Sequence, residues 1–104
     1  LKKNNSIEKT LRNFELDILS VLGYEINFQI DYDNNERIIS GCNYKYSPQS
    51  GFMKSKNGYD GKMLNEINKR EFSKDSLRVC KEINRSTINY YFEELNIKSR
   101  IFFK

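Results

Sequence analysis

The segment Leu11-Arg12-Asn13-Phe14-Glu15-Leu16-Asp17-Ile18-Leu19-Ser20-Val21-Leu22-Gly23-Tyr24 decides the fold class. Leu11, Phe14, Ile18, Leu19 and Leu22 recur near the period of an α-helix, and Gly23 follows as a residue suited to the left-handed turn that ends one. Upstream, Asn5 and Glu8 have the spacing of a capping box. The pattern predicts a helix from about residue 6 to 22. Leu16 and Val21 widen its apolar stripe, which predicts burial on more than one side.

Working outward, residues 24–30 alternate polar and apolar side chains as an extended segment does, and residues 31–36 read as a loop. Residues 37–40 and 43–46 are short strand candidates interrupted at Gly41. A turn at Ser47-Pro48-Gln49-Ser50-Gly51 precedes a returning strand at 52–54. Residues 36–55 thus form a small β-hairpin insert with basic edges. Asp60 is placed to cap a helix reaching about residue 68, with Met63, Leu64 and Ile67 as its apolar side. Ser73 or Asp75 caps a last helix over about 76–92, where Leu77, Cys80, Ile83 or Asn84, Thr87 and Tyr91 share a face. The tail, 95–104, mixes cations with aromatic residues. The expectation is one mainly α domain over residues 1–104, a small helical domain with a short β-hairpin insert.

A chain of 104 residues is one domain by size, and 38% hydrophobic with 13% aromatic residues suits a folded core. No apolar run approaches the ~20 residues of a membrane helix, and there is no signal-peptide segment. The chain has no histidine, which removes the commonest general base and metal ligand. Cys42 and Cys80 stand far apart and read as reduced thiols, Cys80 as a small core residue. Glu15 and Asp17, two apart on a helix, point to different faces and make no acid–base pair. Asp31, Asp33 and Glu36 lack the glycine and the terminal glutamate of a calcium-binding helix–loop–helix loop. With no phosphate-binding glycine loop and no zinc ligand set, the expectation is a non-enzyme without cofactor or metal.

Binding features remain. Residues 1–36 carry a net charge of −3 and residues 37–104 a net +7. Arg37, Lys45, Lys54 and Lys56 lie in a stretch without any acid, a footprint for phosphates or an acidic peptide, or simply a solvated surface. Arg12 stands beside the apolar stripe of the first helix, where an arginine fork can clamp a carboxylate while a hydrophobic group docks alongside. Arg78, Lys81 and Arg85 form one row on the last helix. Lys98 and Arg100 with Phe102 and Phe103 offer cations and stacking rings for single strands, or an aromatic pair that folds back on the core.

Phe14-Glu15-Leu16, Leu19, Leu22-Gly23-Tyr24 and Asn27-Phe28 together resemble the start of the C-terminal helical domain of the RecO family of recombination mediators. The likeness continues through Tyr44-Lys45-Tyr46, Gly51-Phe52, Gly61-x-x-Leu64, Asn68-x-Arg70-Glu71-Phe72, Leu77-Arg78, Tyr91 and Ile97-Lys98-Ser99-Arg100. It is closest to the gammaproteobacterial branch. Two departures stand out. The four-cysteine zinc site of many members would begin at Asp31 and Asn34, and no such ligands are present. The family's Gly-Gly before Lys-Ser-Arg is Glu93-Glu94 here.

The resemblance implies a bacterial, cytoplasmic, nucleoid-associated parent protein with an N-terminal OB-fold that these residues do not supply. It implies binding and annealing of single- and double-stranded DNA, and work with RecR to replace single-strand-binding protein (SSB) by the RecA recombinase. It also implies docking of the acidic, Phe-ending SSB tail, with Arg12 as the carboxylate clamp and Leu16 and Leu22 lining a hole for the ring. Arg78 and Lys81 are added as outer cations by their position on the last helix. The alternatives are direct nucleic-acid binding through Arg37, Lys45, Lys54, Lys56, Lys98 and Arg100, or a structural domain that holds RecR or the barrel.

Overall fold

The computed structural model describes the backbone of residues 2–102 and the side chains of residues 6–92. Helix α1 runs Lys2–Val21, strands β1 Asn43–Ser47, β2 Gly51–Ser55 and β3 Tyr59–Asp60 follow, and helices α2 Gly61–Lys69 and α3 Lys74–Phe102 complete the fold. The strands form one antiparallel sheet in the order β2-β1-β3. This is the expected helical domain with a hairpin.

The helix ends follow from local chemistry. Gly23, at φ +90, closes α1: its N–H donates to Ser20 O at 3.0 Å and the Tyr24 N–H to Leu19 O at 2.8 Å, a Schellman motif. The Asp60 side chain accepts from the Lys62 N–H at 2.9 Å and caps α2. Ser73 and Ser76 cap α3 reciprocally, the Ser76 N–H donating to Ser73 Oγ at 3.1 Å and the Ser73 N–H to Ser76 Oγ at 2.7 Å. A serine thus does the work of the usual glutamate.

Three boundaries differ from expectation. Helix α1 begins at Lys2, so Asn5 lies inside it and is not its cap. Helix α3 continues to Phe102, so the tail is helical backbone where a separate segment was expected. Residues 24–30 and 37–40 form no strand: the ladder contact joining them is an isolated bridge from Ile30 to Arg37, and the hairpin starts at Asn43, not near residue 36. Between them the chain is tied by Asp31, whose N–H donates to Glu36 O at 2.9 Å and whose Oδ1 accepts from the Asn34 N–H at 2.7 Å.

The core joins the hairpin to the helices. Tyr44, Phe52, Leu64, Ile67, Cys80 and Ile83 are fully buried and pack with Leu16, Phe28, Ile38 and Val79. Tyr44 Oη accepts from the Ile39 N–H at 3.1 Å, and the Tyr46 and Thr87 hydroxyls meet at 2.6 Å, so the buried tyrosines bring their own partners. The start of α2 fits beneath this chain because Gly61 has no side chain. A Cβ there would stand 2.0 Å from Ile39 O and 3.1 Å from the Tyr44 ring.

Gly61→Ala replaces a poor helix former by the best one, so propensity alone would stabilise α2. The clash reverses the sign, and the variant is expected to lose on the order of 2 kcal/mol in urea denaturation.

Candidate partner-docking site

The contact between α1 and α3 is built around a charge. Arg12 is 5% exposed, and its guanidinium lies between two glutamates of its own helix. Nη1 donates to Glu8 Oε2 at 3.1 Å and Nη2 to Glu15 Oε2 at 3.1 Å. Nε approaches Glu15 Oε1 to 2.8 Å, an ion-pair contact off the N–H direction. From α3, Asn84 Nδ2 donates to Glu15 Oε1 at 3.0 Å and meets Cys80 Sγ at 3.4 Å. Arg12 is therefore neutralised within the helix before it is buried, which lets a cation sit in the interface.

Burial pushes the Cys80 thiol up to about 12; Glu15 adds to the shift and Arg12 opposes it. Both cysteines are free thiols, Cys42 half-buried and Cys80 buried. The Tyr59 phenol, whose Oη donates to Glu82 Oε1 at 3.0 Å, is likewise pushed up to about 12, by burial first and then by that glutamate.

Beside this contact, Glu8, Lys74, Asp75, Leu77, Arg78 and Lys81 line a groove of about 340 Å³. Arg78 and Lys81 thus share one surface, as the row on the last helix implied, and Lys74 joins them. Lys74 falls outside the helix expected from about residue 76, because α3 starts two residues earlier, directly after the Ser73 cap. Arg12 borders this groove only through Glu8.

Leu16 and Leu22 do not meet. Leu16 is 7% exposed and lines a separate cavity of about 180 Å³ with Asp17, Ile26, Phe28, Ile67 and Arg70 among its walls, whereas Leu22 is 51% exposed just past the end of α1. Six residues along a helix turn a side chain about 120° away, which separates them. Arg70 is the cation that guards the Leu16 cavity, and sequence reasoning gave it no role. It ends α2 in the left-handed conformation at φ 59 and reaches Asn13 Oδ1 at 2.7 Å and Asp17 Oδ1 at 3.1 Å.

The basic residues of the middle also divide. Lys45 pairs with Met53 and Lys54 with Tyr44 in the β1–β2 register, so the two lysines point to opposite faces of the hairpin. Lys56 follows in the exposed loop after β2. Arg37 lines a third groove, of about 370 Å³, with Lys69, Gln29, Asn65, Asn68 and Ser40 and no acid in its walls. The Lys98 and Arg100 side chains lie outside the described residues. No group of three or more metal-ligating side chains occurs among the described residues, and no helix there is long and apolar enough to cross a membrane.

No family model matches the chain. It is 35% identical over 104 residues to the DNA repair protein RecO of Salmonella dublin, a match covering 95% of this chain and 43% of that protein. The chain is RecO-like. The RecO proteins of Salmonella enteritidis PT4 and Salmonella schwarzengrund give the same 35% identity and the same coverage. The RecO-like region thus spans less than half the length of the relatives it matches.

The two raised pKa values fix a pH dependence. Folding holds the Cys80 and Tyr59 protons more tightly than the open chain does, so their contribution is complete below the ordinary values of 9.0 and 10.0 and is lost as pH rises toward about 12. Urea midpoints are expected to fall between those limits. The fall should be shallower in Cys80→Ala and in Tyr59→Phe than in the parent.

Proposed function

We propose that the chain is a non-catalytic docking domain acting in DNA repair and homologous recombination, in which the groove between α1 and α3 takes the acidic, Phe-ending tail of SSB. The observation that carries this reading is the convergence of Lys74, Arg78 and Lys81 around Leu77 in one groove. Acidic tail residues are drawn by the three cations, and the terminal ring is held against the apolar floor. The terminal carboxylate then takes the place of Glu8 on Arg12 Nη1. Glu8 is the exchangeable partner because its side chain is 41% exposed, against 27% for Glu15. RecR contact, strand annealing and RecA loading follow from the RecO likeness and belong to the parent protein. So does its place in the bacterial cytoplasm at the nucleoid.

Fluorescence anisotropy with a labelled SSB-tail peptide tests this. Saturable binding is expected, lost when the terminal Phe is deleted and at least tenfold weaker in Arg78→Glu/Lys81→Glu. Arg12→Ala should cost on the order of 1.5–3 kcal/mol of binding, while Glu8→Gln, which frees the guanidinium, should tighten it. Equal affinity in all three variants would remove the groove from the reading.

The groove of Arg37 and Lys69 favours a second reading, direct binding of single-stranded nucleic acid. Two cations and three amide side chains with no acid suit a phosphate and a base edge. An oligonucleotide titration should then show log affinity falling with log salt by about 0.7 per phosphate contact. Arg37→Ala should flatten that slope, and a salt-independent signal excludes the reading.

A further inference from the structure

The outer face of the hairpin sets a sulfur atom between two hydrogen-bond donors. Side chains alternate along β2, so the fully buried Phe52 sends its neighbour Met53 to the opposite, outer face. There Met53 is half-buried, and its Sδ accepts from Tyr32 Oη at 3.3 Å. Tyr32 belongs to the loop 31–36 and is 49% exposed, so solvent reaches this contact. Lys45 is the ladder partner of Met53. The two therefore share the outer face with Cβ atoms about 5 Å apart, which brings the ammonium within reach of the sulfur. Among the described residues Lys45 is in no ion pair. Met63, the other methionine, is also half-buried, but on α2 and packed against the core cluster.

A thioether in this position meets peroxide directly. The sulfur lone pair takes one oxygen atom from hydrogen peroxide: an S–O bond forms and the O–O bond breaks. The departing hydroxide collects the proton of the transferred oxygen and leaves as water. Sulfur gives up two electrons and the peroxide is reduced. In a core the product disrupts packing, because the S–O dipole is desolvated without partners. At Met53 the sign is reversed. Thioether sulfur is a weak acceptor, the sulfoxide oxygen is a strong one, and a phenol and an ammonium are already placed to donate to it. The loop is held to β2 by the Tyr32 N–H on Phe52 O at 2.8 Å, and a strengthened side-chain bond adds a second tie one residue along the strand.

We propose that Met53 is a reversible peroxide-oxidation site, whose sulfoxide takes hydrogen bonds from Tyr32 and Lys45. Oxidation fastens the loop 31–36 to the hairpin and withdraws the Lys45 ammonium from other ligands. Two thiols of a methionine sulfoxide reductase reverse the step: they return the two electrons, leave as a disulfide, and release the oxygen as water. The site stands apart from both grooves, and neither docking reading is needed for it.

The chain is treated with hydrogen peroxide and mapped by peptide mass spectrometry. Met53 should gain oxygen about threefold faster than Met63, and unfolding in urea should erase that ratio. Once Met53 is oxidised, amide exchange of the loop 31–36 should slow by about threefold. Acylation of Lys45 should fall by a similar factor, while Lys54, on the other face, and Lys56 keep theirs. Sulfoxide reductase should restore both readings. Met53→Gln, whose amide oxygen stands in for the sulfoxide, should copy both effects without oxidant, and the oxidised parent carries the test if that variant fails to fold. Tyr32→Phe should abolish the exchange effect and leave the Lys45 effect. Three results overturn the proposal: Met63 oxidising as fast as Met53, a rate ratio that survives in urea, or loop exchange that is unchanged or faster after oxidation.

Discussion

The burial of the Arg12 guanidinium fixes which side of α1 faces the core, and much of the molecule is arranged around that choice. A cation cannot enter an interface without partners, and Glu8 and Glu15, one turn away in each direction, provide them from the same helix. Asn84 then ties the Glu15 carboxylate to α3. The layer costs desolvation, which is visible in the Cys80 thiol pushed up to about 12. It also orients α1 in a way that apolar contact alone would not, because both long sides of the helix are apolar. Leu16 and Leu19 go inward with the arginine. Phe14 and Ile18 are left on the outside.

That competition explains what the sequence could and could not disclose. The caps at Gly23 and Asp60 were legible because each rests on one residue's conformational or hydrogen-bonding preference, and the structure selects Ser73 over Asp75 at the start of α3. The buried face of α3 was legible too: Leu77, Cys80 and Thr87 are buried as their spacing implied, the alternatives Ile83 and Asn84 are both buried, and Tyr91 is half-buried. The orientation of α1 was not: of the expected stripe Leu11, Phe14, Ile18, Leu19 and Leu22 only Leu19 is buried, and Val21 is exposed as well. A reading by apolar period selects the stronger stripe, and the decisive residue here is charged.

The stretches 24–30 and 37–40 depart from expectation for a related reason, whereas 31–36 is the loop that was expected. Alternating side chains suggested a strand, but a strand needs a ladder, and the backbone partners of this stretch go elsewhere. The Tyr32 N–H donates to Phe52 O at 2.8 Å, the Ile38 N–H to Gln29 O at 2.9 Å, and Asp31 gathers the tight turn between them. Asp31 is fully buried, and its Oδ2 has no hydrogen-bond partner among the described residues. The two-residue β3 was beyond sequence reading because its position depends on Gly58, at φ +144, where a Cβ would stand 2.2 Å from Tyr44 O. Only the folded hairpin reveals that close approach. The scatter of the middle lysines follows from strand alternation, which register decides and charge counting ignores.

Glu8 is where these arguments meet. It pairs with Arg12 and walls the groove of Lys74, Arg78 and Lys81. Of the two glutamates on the guanidinium it is the more exposed, so its pair is the weaker and water can replace it at small cost. Glu15, held also by Asn84, is the fixed one. In the proposed docking, an incoming carboxylate reaches Arg12 by displacing Glu8, and the buried charge is already desolvated when it arrives. A preformed, neutralised cation behind an exchangeable carboxylate favours a ligand that brings its own carboxylate over a polyphosphate chain, because exchange leaves the net charge of the layer unchanged. That physical ground is why we propose an acidic peptide end for the groove between α1 and α3 and, as the second reading, a phosphate backbone for the acid-free groove at Arg37 and Lys69.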